Sequence, residues 1–220
     1  MTRMIVLSCL VLLSACQKPT PTSFTTGGGE VAAEKDRTYR WSFDEAAGSL
    51  PEDFINVLGD WRVEAEPSAP SGPNVLRQAG RFKTPDFPRF VIKDLTFADL
   101  TARVRCRPES GSVDQACGLM FRLRDSDNYY ITRANPLEGN VRLYRVVDGD
   151  RQQLASADLA MASGQWHTLE ATVRGLTLTV RWDDQPIITA TDATFTKGKI
   201  GLWTKADSVT AFDDLEARAE

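Results

Sequence analysis

Residue types able to hold a ligand concentrate in one stretch, KIGLWTKADSVTAFDDLEAR, Lys199 to Arg218. Trp203 and Lys205 lie two apart, so on a β-strand they face the same way, with Asp207 just beyond. An indole on a sheet face stacks on the apolar side of a sugar ring, and cations beside it bind hydroxyl or carboxylate groups. Arg122, Arg133, Asn135 and Tyr144, on neighbouring strand-like runs, complete the expected ligand set. The alternative is that Trp203 packs under a loop with Lys205 lying over it. A second constellation comes from FDE and FDD, where Phe43 and Phe212 read as core plugs followed by Asp44, and by Asp213 and Asp214. Terminal strands of a sandwich often pair. Carboxylates converging there with backbone carbonyls would suit one structural Ca2+, which takes six to eight oxygens. The alternative is surface acids at strand ends, paired with an arginine.

Other chemistry is excluded or weak. His167 is the only histidine, so a multi-histidine zinc site is ruled out. It lies mid-strand in QWHTLEATV with no nucleophile elbow nearby, which favours a structural role. Asp125 and Asp127 in RDSDNYY, and Asp183 and Asp184 in WDDQP, read as turn formers. TGGGE precedes no helix, so it is no phosphate loop. The chain carries 26 basic and 30 acidic residues, net −4, without the basic footprint of a nucleic-acid binder.

The elements that must position these residues are short β runs. From Thr38 onward apolar residues recur with a period near two, in runs rich in Val, Thr, Tyr, Phe and Trp. Turn residues separate them at DSDN, NPLEGN, VDGD and DDQP. Alternation assigns faces. Leu119, Phe121 and Leu123 oppose Met120, Arg122 and Arg124; Ile200 and Leu202 oppose Gly201, Trp203 and Lys205; Tyr129, Ile131, Arg133 and Asn135 oppose Tyr130, Thr132 and Ala134. The implied fold is all-β, a jelly-roll sandwich of two antiparallel sheets over residues 38–220.

The N-terminus, MTRMIVLSCLVLLSAC, has one arginine and then an apolar run too short to span a bilayer, which takes about 20 residues. It reads as an export signal over residues 1–15. Its ending, LSAC, resembles the bacterial lipobox, which implies lipidation at Cys16. Residues 16–37, rich in Pro, Thr, Gly and charge, read as a flexible tether. The expected address is the cell envelope, lipid-anchored, at the outer membrane if the source is Gram-negative. Cys106 and Cys117 flank a polar loop, and an even pair in an oxidising compartment reads as a disulfide.

Three longer segments resemble the concanavalin A-like lectin/glucanase superfamily. They are GLMFRLRDSDNYYITRANPLEGNVRLYRVVDG, GQWHTLEATVRGLTLTVRWDDQPIITATDATF and GKIGLWTKADSVTAFDDLEAR. More narrowly they resemble 3-keto-disaccharide hydrolase (DUF1080) and laminin-G-like bacterial domains. The resemblance implies two curved antiparallel sheets whose concave face often binds glycans. The glucanases' E-x-D-x-E strand is missing, and no strand presents the two glutamates that a retaining glycosidase needs. The residues therefore favour a non-catalytic module binding an oligosaccharide or polysaccharide. The alternatives are a keto-glycoside hydrolase, drawing on Asp125, Asp127, Asp207 and His167, and an envelope protein-interaction domain.

Overall fold

The computed structural model describes residues 29–220, so the expected signal and Cys16 lie outside the described residues. Seventeen strands and no helix make up the described part. In chain order they are β1 Val31–Ala32, β2 Thr38–Trp41, β3 Phe54–Leu58, β4 Trp61–Ala65, β5 Asn74–Gln78, β6 Arg89–Ile92, β7 Leu95–Thr96, β8 Leu100–Ser110 and β9 Cys117–Asp125. There follow β10 Asn128–Asn135, β11 Asn140–Val147, β12 Asp150–Asp158, β13 His167–Arg174, β14 Thr177–Trp182, β15 Gln185–Thr191, β16 Lys199–Trp203 and β17 Val209–Ala219.

Two antiparallel sheets face each other. One is seven-stranded, in the order β12-β11-β10-β9-β16-β6-β3; the other runs β15-β14-β13-β8-β17-β5-β4, with β2 also pairing β17. Period-two alternation drives this arrangement, because each strand must hide one face from water. Leu119, Phe121, Ile200, Leu202 and Leu143 of the first sheet meet Leu100, Val104, Leu169, Val180 and Phe212 of the second in one continuous core. Phe54, Phe90 and Trp61 stack in series inside it, at centroid distances of 4.9 and 5.4 Å.

Segments outside this alternation pin the ends. Residues 31–36, within the expected tether, are already fastened to the domain: Val31 N donates to Asp94 O at 2.7 Å and Asp36 N to Ala219 O at 2.9 Å. Cys106 and Cys117 form a disulfide joining β8 to β9 across the two sheets.

A β-bulge corrects one face assignment. At Arg122 the backbone takes a left-handed conformation, φ 45°, and the pairing of β9 with β16 shifts register there. An extra residue in a strand turns the following side chains to the other face. Leu123 therefore leaves the inter-sheet core for the outer face, and Arg122 turns inward.

Candidate functional site

The outer face of the seven-stranded sheet carries most of the expected ligand residues. Register aligns Arg89, Trp203, Gly118, Arg133 and Arg142 in one row across five strands. The next row is Val91, Gly201, Met120, Ile131 and Tyr144. A Cβ at position 118 would lie 2.8 Å from Trp203 Cε3 and 2.9 Å from the Trp203 carbonyl oxygen, so only glycine lets the indole cross there. Met120, Leu123, Tyr129, Ile131, Tyr144, Val146, Val91 and Trp203 thereby form a second, smaller apolar core on this outer face.

That core is covered, which corrects the role expected of Trp203. The indole is fully buried. Phe87 stacks on it at 5.2 Å and 23°. The connection carrying Phe87 is held down by main-chain bonds from Phe82 N to Ala206 O, Thr204 N to Pro88 O and Ala206 N to Asp86 O, at 2.9 to 3.1 Å. No face of Trp203 is left for a sugar; the half-buried Phe87 lies above it.

The remaining expected residues fall into three groups. Arg133, Asn135 and Tyr144 do share the outer face. Arg133 donates to Asn140 Oδ1 at 2.6 Å, Glu138 Oε2 at 2.8 Å and the Tyr144 hydroxyl at 3.4 Å. Asn135, fully buried, organises the rim by donating to Asp114 and accepting from Leu137 N at 3.0 Å. Lys205 and Asp207 serve the adjoining 111–116 loop. Lys205 ion-pairs with the buried Asp114, whose pKa burial raises and Lys205 partly restores. Asp207 accepts from Ser112 N and Oγ, Val113 N and Asp114 N, at 2.7 to 3.0 Å. Burial pushes the Asp207 pKa up, but these donors outweigh it and hold the carboxyl well below its ordinary value. Both residues are thus loop fasteners rather than free ligand groups.

Arg122 forms the third group and does not belong to the face. It is buried, and donates to Ala98 O at 2.9 Å, Phe195 O at 2.8 Å, Gly175 O at 3.0 Å and Asp99 at 3.0 Å. It ties β9 to turns at the edge of the opposite sheet. The cause is the bulge described above.

Two residues that strand alternation did not single out complete the face. Arg151, exposed on β12, lays its guanidinium over the rings of Tyr144, at 4.6 Å, and Phe87, at 5.1 Å. Arg142 pairs with Glu138 at 3.0 Å and lies 3.4 Å from the Tyr144 hydroxyl. Phe87 sits in DFPRF, where prolines erase the period; Arg151 follows a DGD turn and has no aromatic neighbour in sequence.

The acids assigned to Ca2+ are not gathered as a ligand set. Asp213 is buried and accepts from Ser71 N at 3.0 Å and Asp214 N at 2.8 Å. Asp44 accepts from Asn74 N at 3.3 Å. Asp214, at a bulge with φ 47°, lines a cleft of about 280 Å3 on the other sheet, with Trp41, Arg103 and Arg105. Each aspartate is drawn to a different neighbour, and no three Asp, Glu, His or Cys side chains converge as a metal set among the described residues.

The groups available to an enzyme are equally dispersed. Asp125 caps its own turn, accepting from Asp127 N at 2.8 Å. That turn lies at the Lys199 end of β16, whereas Asp207 follows its Trp203 end. His167 belongs to the other sheet, stacked on Trp182 at 4.7 Å with Nδ1 2.7 Å from Asp183. Along the central strands of this outer face the outward positions of β9 and β16 include Gly118, Met120, Gly201 and Trp203, without a carboxylate.

No protein-family model matches the chain, and no curated protein matches it. Solved structures do. The carbohydrate-binding module CBM66 from Bacillus subtilis superposes with TM-score 0.64 at 18% identity, covering 76% of this chain and 96% of its own. A prokaryotic β-1,3-1,4-glucanase (lichenase) from a mouse hindgut metagenome gives 0.60 at 12%, covering 83% and 99%. The Crh5 transglycosylase in complex with NAG gives 0.57 at 14%, covering 83% of each chain. The chain is thus an all-β jelly roll of two antiparallel sheets, and these identities establish the fold alone.

Proposed function

We propose that this chain is a lipid-anchored envelope module that binds a glycan on the outer face of its seven-stranded sheet without transforming it. The observation that carries the reading is the composition of that face. Arg151, Arg142, Phe87 and the Tyr144 hydroxyl form an aromatic and hydrogen-bonding surface, while the strand positions beside it supply no carboxylate pair. Aromatic rings flanked by planar donors suit sugar rings and their hydroxyls. A retaining glycosidase needs two carboxyls about 5–5.5 Å apart across the bond. Glu138 reaches the face but is engaged by two arginines. Neighbours named as a carbohydrate-binding module and as glycan-active enzymes support the ligand class. The disulfide supports export to an oxidising compartment, in keeping with the lipobox-like LSAC.

The test is a proton NMR time course of the full chain in detergent with pooled oligosaccharides, including 3-keto-disaccharides and uronates. Ligand line broadening without new resonances is the expected result. New product resonances would replace the binding module with an enzyme, and unchanged spectra in every pool would turn the reading towards a protein partner.

A further inference from the structure

We infer that the glycan is anionic, and that Arg151 and Arg142, set around Tyr144, recognise its carboxylate or sulfate groups. This inference rests on the binding-module reading and narrows it to a substrate class.

The argument begins with how Arg151 is held. It is exposed, yet its guanidinium carbon sits over two rings, 4.6 Å from the Tyr144 centroid and 5.1 Å from that of Phe87. Among the described residues no carboxylate pairs with it. A surface arginine normally keeps its rotamer freedom or finds an acid. Contact with two aromatic rings restrains a guanidinium without using its N–H donors. A planar fork held in place and facing solvent is a receptor for a two-oxygen anion.

The surroundings reinforce this. The Tyr144 hydroxyl lies 3.4 Å from Arg133 Nη2 and 3.4 Å from Arg142 Nη1. Three guanidinium groups therefore meet around one tyrosine. Glu138 bonds Arg133 at 2.8 Å and Arg142 at 3.0 Å and leaves Arg151 without a counter-charge. Arg133 is buried and fully committed to Asn140, Glu138 and Tyr144, so it stiffens the cluster rather than meeting ligand. Arg142, half-buried, and Arg151 present the accessible positive edge. A neutral sugar can accept hydrogen bonds from such an arginine through its hydroxyls, but an acidic sugar also supplies the missing charge. Phe87, half-buried with Trp203 stacked on it and Arg151 over its ring, adds an apolar border to the same patch.

The test compares two polymer pairs that share a backbone and differ in charge, with alginate as a second carboxylate polymer. The full chain in detergent is run in affinity gels containing polygalacturonate, fully methyl-esterified pectin, alginate, dextran sulfate or dextran. Retardation by an acidic polymer and not by its neutral counterpart is expected; response to polygalacturonate or alginate identifies carboxylate, and to dextran sulfate alone, sulfate. Arg151→Ala should weaken that binding about tenfold, and Arg151→Lys, which keeps charge but loses the fork, should fall between. Arg105→Ala, removing the same charge from the outer side of the other sheet, should change nothing. Equal binding of acid and ester forms, or of dextran only, would overturn the anionic inference while leaving the glycan module standing. Loss of binding in Arg105→Ala but not Arg151→Ala would overturn this placement. Failure of every polymer would overturn both.

Discussion

At the residue scale, what separates a ligand group from a structural one on this face is what lies above it. Trp203 faces outward, as strand alternation requires, but Phe87 and its neighbours close over the indole. That cover comes from residues 79–88, which have no periodic pattern, so the outward direction was legible and the burial was not. The consequence is a reversal of the expected mutant. Trp203→Ala should act as a core truncation, lowering stability by roughly 3–5 kcal/mol, seen as an earlier midpoint in urea unfolding. A variant that keeps wild-type stability and loses only glycan binding would restore Trp203 to the ligand surface. Phe87→Ala, by contrast, removes a half-buried ring from the patch. It should weaken binding with a smaller stability loss, read by titration beside a melting curve.

At the element scale, the strands were readable wherever alternation ran unbroken, as in β10, where Tyr129, Ile131, Arg133 and Asn135 share the outer side. The bulge at Arg122 broke the pattern, because a register shift leaves no mark in residue type. Asp207 shows the same limit in a loop. Its acidic side chain reads as a ligand, yet it satisfies three backbone N–H groups of the 111–116 segment. Asp207→Asn should cost about 1.5–3 kcal/mol near neutral pH, the usual worth of hydrogen bonds to a charged group. The pH dependence has a definite sign. The folded-state pKa is depressed below the unfolded value of about 3.9. The contribution is therefore complete above that value and is lost as pH falls through the folded one. The stability gap between wild type and Asp207→Asn should narrow steadily below about pH 4; a gap constant down to pH 2 would remove the carboxylate from this role. Reduction of the Cys106–Cys117 bond should separately lower stability by roughly 2–3 kcal/mol, from the loop it closes.

At the scale of the whole molecule, the question is how the face is oriented relative to the point where the chain enters the fold. Glu30 lies 3.4 Å from Lys199 Nζ, and Val31–Ala32 runs alongside Leu95–Thr96. The described chain therefore enters at the Lys199 end of β16. Trp203, Arg133 and Arg142 lie in register at the other end, four residues further along β16, or roughly 13 Å at the usual strand rise. Tyr144 sits in the mid-sheet row of Gly201, and Arg151 pairs with Val146, whose partner Tyr129 lies towards the entry end; what sets Arg151 apart from the entry point is the four strand spacings between β16 and β12, roughly 19 Å across the sheet. The patch is thus displaced from the entry point mainly across the sheet. The anchor and the face should be separable on this geometry. Cys16→Ser should move the protein from the membrane to the soluble fraction of fractionated cells, while its affinity for an acidic polysaccharide stays within a factor of about two. Retention of Cys16→Ser in the membrane fraction would show that something other than a lipid on Cys16 holds the chain there. Loss of binding on release would show that the membrane contributes part of the binding surface, which the separation of Glu30 from the Tyr144 cluster argues against.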